Sequence, residues 1–389
     1  MRTVSAIKNI NSTLIVYGFN MVLQFIIRFV LLYYLSIEYL GLNGLFDNIL
    51  TVLSLTELGI GPAIIFSLYS PLANHDLETA KSIMRIFKKA YIYIGTLILF
   101  LGLCISPFVQ HLIKVPPNIA YLNIFFLLFV VDTGISYFYS YKKCLLIADQ
   151  KQYIANYYRG ITQLIGSLFQ IALVILTHSF WVYIILRICM TFSENFLIAR
   201  KADHLYSFLN EKNIQPLNKD IYQSIIRNIK ALILHKIGGV TVFGTSNIIL
   251  SKFVGLSAVA LYTNYYLIIN GIDKLSDQVF NALKASVGNL NESHDDAHKL
   301  VIFKRLEFMT AYLACFICSN LYLLLNPFIT IWLVNNYRFD ESIVLWIVIN
   351  FYLMFMRKGV LVFKDAMGLF WQNRYMSLIE ALINLGSSI

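Results

Sequence analysis

The sequence predicts an all-α, polytopic membrane protein. Of its 389 residues, 58% are hydrophobic and 13% charged, far below the roughly 25% charged residues of soluble domains. Mean hydropathy is +0.67, and the apolar residues gather in runs long enough to cross a bilayer. Lys and Arg are also unevenly placed. With the N-terminus inside, the five complete cytoplasmic loops hold 18 of them and the five external loops hold 3, namely Lys114, Lys252 and Arg338.

A hydrocarbon core about 30 Å thick needs roughly 20 apolar residues per helix. Ten segments reach or approach that length: 13–35, 40–68, 90–108, 119–138, 154–176, 180–198, 229–249, 259–283, 308–333 and 343–362. An eleventh begins at Met376. The first span is too long for a signal-peptide core and lacks a small-residue cleavage motif after it, so it reads as uncleaved. The net charge of +10 sits where membrane topology and anionic headgroups place it, which argues against nucleic acid as a partner. The pair Cys315 and Cys318, in "CFIC", lies inside an apolar span and reads as helix packing rather than redox or metal chemistry.

Two weak similarities suggest a duplication. "YLGLNGLFDNIL" from Tyr39 faces "AVALYTNYYLII" from Ala258, and "NHDLETAKSIMRIFKK" faces "SHDDAHKLVIFKR", at offsets of 216 to 219. The expectation is a parallel repeat of six spans, with an N-terminal lobe over residues 1–218 and a C-terminal lobe over residues 219–389. On that spacing the second lobe is incomplete, with about five of its six helices present.

Polar residues in the spans fall in stripes. On a helix turning about 100° per residue, Thr13, Tyr17, Asn20, Gln24 and Arg28 share a face, and so do Asn43, Asp47, Thr51 and Ser54, with Glu57 at the edge. The eighth span repeats the pattern with Thr263, Tyr266, Asn270, Asp273, Lys274, Asp277, Asn281 and Lys284. Asp132 shares a face with Ser136 and Tyr139 and is placed to line a cavity or cap a neighbouring helix. Intramembrane charges face a bundle interior, a partner or water. Arg28 and Asp47 lie at matching depths, about seven residues in from the same side, and are placed to pair. Two readings follow: satisfied structural ion pairs, or the wall of a hydrated lumen. Glu57 precedes "GIGP", where Gly59, Gly61 and Pro62 should kink the second span. It is either a proton or Na⁺ site or a partner for freed backbone amides. Arg159 and Lys236 are expected to snorkel to the interface. No phosphate loop, metal cluster or nucleophile-base constellation is present, so no catalytic residue and no cofactor is assigned.

The stretches "YLGLNGLFDNILTVLSLTELGIGPAIIFSLYSPLANHD" and "RKGVLVFKDAMGLFWQNRYMSLIEALINLGSSI" resemble the Wzx-type flippases, members of the multidrug/oligosaccharidyl-lipid/polysaccharide exporter superfamily. The resemblance implies two six-helix lobes forming a V around a central cavity in the bacterial cytoplasmic membrane, the second lobe cut short. It further implies export of polyprenyl-pyrophosphate-linked oligosaccharide for capsule, exopolysaccharide or O-antigen, with polymerase and glycosyltransferases of the same pathway as partners. In that setting Arg28, Lys274 and Lys252 supply positive charge to the pyrophosphate, and Asn20, Gln24, Asn43 and Asn270 hydrogen-bond the glycan. Glu57, Asp47, Asp273 and Asp277 become the positions for H⁺ or Na⁺ coupling in an alternating-access cycle. The rivals are a cation-coupled multidrug or metabolite antiporter of the same superfamily, a lipid II flippase, and a non-enzymatic assembly partner. A membrane polysaccharide polymerase is disfavoured because every external loop is about ten residues or fewer.

Overall fold

Inside hydrocarbon each backbone N–H must find its acceptor within its own segment, so the apolar runs fold as helices. The computed structural model describes all residues except Met1, 58–59, 116–118, 120, 212–215, 218, 220, 224, 227–228, 230–244, 294–295, 334–336, 368–375, 377–378, 381, 384–385 and 387–389. Its helices are α1 (Arg2–Tyr34), α2 (Ile37–Leu53), α3 (Ile60–Ala73), α4 (Leu77–Ile105), α5 (Leu122–Ala148), α6 (Gln152–Thr177), α7 (Phe180–Leu205), α8 (Ser246–Phe253), α9 (Leu256–Ser293), α10 (Asp296–Trp332) and α11 (Glu341–Ala366). Among the described residues, seven helices (α1, α4, α5, α6, α7, α10 and α11) are long and apolar enough to cross a membrane.

Two expected spans come out differently. The second is not one helix with a kink. α2 ends at Leu53, a 3₁₀ turn runs over Ser54–Glu57, and α3 begins at Ile60. The local cause is polar competition: Thr51 Oγ1 donates to the Asp47 carbonyl at 2.7 Å and Ser54 Oγ to the Thr51 carbonyl at 2.6 Å, loosening the last turn of α2. Pro62 then falls in the first turn of α3, where its missing N–H costs nothing, so it starts a helix rather than bending one. The eighth span is a helix, α9, but its polar stripe dilutes its apolar character and it is not among the seven. Most of the seventh and eleventh spans, with Gly59, His235 and Lys236, lie outside the described residues.

Contacts divide the chain into two compact units, Met1–Ala258 with Ser377–Ile389, and Val259–Met376. In the first unit α1 packs on α6, α6 on α7, α7 on α5 and α5 on α4, while α2 touches α1, α5 and α8. The circuit α1, α6, α7, α5, α2 and back to α1 is therefore closed. Glycines set the α4–α5 distance: a Cβ at Gly95 would lie 3.0 Å from Phe138 and 3.3 Å from the Gly134 carbonyl, and one at Gly102 would overlap Val130. The α1–α6 seam is polar instead, with Asn156 Nδ2 donating to Ser12 Oγ (3.0 Å) and Thr13 Oγ1 (2.9 Å), and the Tyr153 N–H to Asn9 Oδ1 (2.8 Å).

The ends of these helices are held by identifiable groups. Asp76 caps α4, accepting from the Thr79 N–H at 3.0 Å, and the hydrogen bonds from Thr79 hold its carboxyl below the usual range. His178 ends α6 in the left-handed region, its N–H returning to the Val174 carbonyl at 2.9 Å. Beyond α7, Tyr206 donates to Asp149 Oδ2 at 2.6 Å; burial, with that carboxylate beside it, pushes the phenol far up. Gly255 takes φ +131°, a turn between α8 and α9 that favours glycine.

In the second unit α10 packs along α11. Fully buried Tyr265 of α9 donates to Asn326 Oδ1 of α10 at 2.5 Å and accepts from the Phe339 N–H at 3.0 Å, while Asn326 Nδ2 donates to the Phe339 carbonyl at 3.1 Å. Cys318 is buried and Cys315 exposed, both as free thiols.

Replacing Gly102 with Val should force α4 from α5 and cost about 1 to 3 kcal/mol, read as a lower thermal midpoint of the detergent-solubilised protein. Asp76→Ala should cost about 1 kcal/mol. Because the folded carboxyl is depressed, the wild type holds that contribution above a pH of about 4 and loses it as pH falls through the lower folded value.

Candidate functional site

Five helices of the first unit enclose a cavity of about 340 Å³. α1 contributes Gln24 and Arg28; α2 contributes Asn43 and Asp47; α5 contributes Asp132; α6 contributes Gln163, Ser167 and Gln170; and α7 contributes Tyr183, Arg187 and Thr191. Side chains from the first two stripes, four of them candidate residues, thus meet in one place. They do so inside the first unit, together with α5, α6 and α7.

Arg187 organises the wall. Its Nη2 donates to Asp47 Oδ1 at 2.8 Å, its Nε to Asp132 Oδ2 at 2.9 Å and its Nη1 to Asn43 Oδ1 at 3.0 Å. The guanidinium carbon lies 4.4 Å from the centre of the Phe129 ring, a cation–π contact. Asn43 Nδ2 donates back to Asp47 Oδ2 at 3.4 Å, and Tyr183 donates to Asn43 Oδ1 at 3.3 Å. The planar fork of Arg is what allows three elements, α2, α5 and α7, to be tied by one side chain. Arg187 is paired with Asp47, and Arg28, expected to pair with the same carboxylate, lines the same cavity. Asp132 is deeply placed, its side chain 7% exposed, and its Oδ1 is buried and accepts no hydrogen bond among the described residues.

Glu57 stands apart from this cavity. It accepts from the phenols of Tyr91 (α4) and Tyr137 (α5), each at 3.3 Å, at the break between α2 and α3. Those two donors are side chains on neighbouring helices. Asn20 lies on α1 with its Oδ1 buried and no hydrogen bond to that atom among the described residues. Lys252 of α8 donates to the His111 carbonyl at 2.6 Å, and the Lys114 N–H donates to the Ser251 carbonyl at 3.0 Å. Lys252 thus helps fasten α8 to the turn after α4.

The second unit has its own charge cluster. Lys358 of α11 bridges Asp273 Oδ1 (2.9 Å) and Asp277 on α9. The cation that serves these two carboxylates is Lys358, whereas Lys274 is exposed. Asn270 lies on the same helix, half-buried. Arg159 is half exposed and 3.9 Å from Glu194 Oε1.

Arg187 and Lys358 were thus not among the candidate residues, although each sits in an apolar helix where charge is costly, which was the available signal. Periodicity does place Arg187 on one face of α7 with Tyr183 and Thr191, at i−4 and i+4, a stripe the sequence carries. Among the described residues no group of three or more His, Cys, Asp or Glu is placed to hold a metal ion.

No protein-family model and no curated protein sequence matches the chain. Its fold is similar to solved transporters. A multidrug resistance MATE family transporter of the MOP superfamily, in an inward-facing conformation, gives a TM-score of 0.64 at 12% identity, covering 94% of this chain and 84% of that one. A MATE structure in the bent conformation gives 0.50 at 12% identity, covering 99% and 94%. The all-helical membrane fold expected from the sequence is the fold observed.

Removing Arg187 would leave Asp47 and Asp132 facing each other without their shared cation. Arg187→Ala should destabilise by about 3 kcal/mol, the low end for breaking a buried pair because Asp47 keeps 42% of its side chain exposed. Adding Asp132→Leu to Arg187→Met should restore most of the thermal midpoint, since it removes the buried carboxylate and leaves only the more exposed Asp47 without Arg187.

Proposed function

We propose that the chain is a multi-pass membrane transporter whose cargo is phosphorylated and amphiphilic, namely a polyprenyl-pyrophosphate-linked oligosaccharide repeat unit. On this reading it works in the bacterial cytoplasmic membrane with its N-terminus inside. It carries the unit to the external leaflet for capsule, exopolysaccharide or O-antigen synthesis, alongside polymerase and glycosyltransferases. The observation that carries the proposal is the meeting of two arginines, Arg28 and Arg187, with the amides of Gln24, Asn43, Gln163 and Gln170 in one cavity between apolar helices.

The chemistry fits that cargo. Guanidinium forks match phosphate oxygens, and amides match sugar hydroxyls. A volume of about 340 Å³ is at the small end of ligand sites, so this cavity would take the pyrophosphate head, with the glycan largely elsewhere and the polyprenyl tail left in lipid. The two six-span lobes and H⁺ or Na⁺ coupling at Glu57, Asp47, Asp273 or Asp277 belong to the same proposal. A second reading is favoured by two specific observations, the likeness to multidrug transporter folds and the presence of Asp47 and Asp132 in the cavity. It makes the chain a cation-coupled antiporter of cationic drugs.

Reconstitution in liposomes separates the two. The flippase reading expects a fluorescent lipid-linked oligosaccharide to change leaflet, and Arg28→Ala at equal protein level to lower its affinity roughly 10- to 100-fold, the worth of one charge-assisted hydrogen bond of about 1.5 to 3 kcal/mol. Exposed Lys274 offers a comparison, and its Ala variant should matter less. Ethidium efflux driven by a cation gradient, with no movement of the lipid-linked sugar, would establish the antiporter instead.

A further inference from the structure

Four charges in the cavity of the first unit cancel: Arg28 and Arg187 against Asp47 and Asp132. Tyr183 is the other titratable group on its wall, and the rest of the polar lining is amide or hydroxyl. All three nitrogens of Arg187 already donate, two of them to carboxylates, which uses three of its five N–H groups. A phosphate entering this cavity competes with Asp47 and Asp132 for Arg187.

The two aspartates are not equivalent. Asp47 keeps 42% of its side chain exposed, and its second oxygen accepts from Asn43. Asp132 is 7% exposed, and its second oxygen, Oδ1, accepts no hydrogen bond among the described residues. If Arg187 turns to a phosphate, Asp132 becomes a buried carboxylate stripped of its cation and set beside a new anion. That arrangement is relieved by taking up a proton.

We propose that this cavity binds an anionic phosphate and a proton together, with the proton added to Asp132 at Oδ1 as Arg187 passes from Asp132 to the phosphate. The inference rests on the reading that the cargo is phosphorylated, and it adds Asp132 as the proton-binding residue. The proton comes from bulk water, one O–H bond forms on the carboxyl, and no bond of the cargo breaks. Cargo and proton then occupy the cavity at the same time, rather than displacing one another.

The test uses the full chain in detergent and farnesyl pyrophosphate as the probe. Isothermal titration in buffers of different ionisation enthalpy counts protons taken up per ligand bound. Comparison with Asp132→Asn subtracts proton exchange by the pyrophosphate itself. The wild type should take up about one more proton than Asp132→Asn, and its affinity should weaken by up to about tenfold per pH unit relative to that variant, the slope of a single linked proton. Infrared difference spectra of the wild type give a readout independent of the variant's folding: the carbonyl stretch of a protonated carboxyl should appear on binding. Equal proton counts, or no such band, with farnesyl pyrophosphate still bound, would overturn the proton step and leave the phosphorylated cargo standing. Failure of farnesyl pyrophosphate to bind the wild type would overturn both.

Discussion

The first unit depends on one constraint: a guanidinium between apolar helices must be neutralised on the spot. Arg187 meets it by drawing Asp47 from α2 and Asp132 from α5 to α7, with Asn43 filling the third donor. Water cannot solvate these groups in hydrocarbon, so the alternative to pairing is a cost of several kcal/mol per charge. The same constraint fixes which helices surround the cavity. α2 cannot drift from α7 without stranding Asp47, and α5 cannot without stranding Asp132.

Elsewhere the helices are held by the absence of side chains rather than by charge. Gly95, Gly102 and Gly134 bring α4 against α5 closely enough for dispersion contacts to replace the hydrophobic drive that lipid does not supply. Helix α2 gives way where its own hydroxyls compete for backbone carbonyls, and the turn that results presents Glu57 to two phenols.

The second unit solves the charge problem in the same way with a different cation. Lys358 of α11 holds Asp273 and Asp277, one turn apart on α9. Lys bridges as a point charge, without the fork that lets Arg187 join three helices, and so it links only two. Spacing on a helix predicted that the two aspartates share a face, because i and i+4 must do so. It could not name Lys358, which is 81 residues from Asp277 in the chain.

How much was legible follows from the range of each interaction. Local periodicity and composition determined the all-helical membrane fold, the positions of most spans and the faces on which Gln24, Arg28, Asn43 and Asp47 lie, since each depends on neighbours within a few residues and on the hydrophobic thickness of a bilayer. The stripe on α1 was correct as geometry yet divided in use: Thr13 packs with Asn156 of α6, while Gln24 and Arg28 line the cavity. Only the tertiary structure decided that Arg187 takes Asp47, that Lys358 takes Asp273 and Asp277, and that Lys252 serves a turn. A charge in low dielectric pairs with whichever opposite charge the packing brings within about 3 Å, and sequence separation carries no information about that choice.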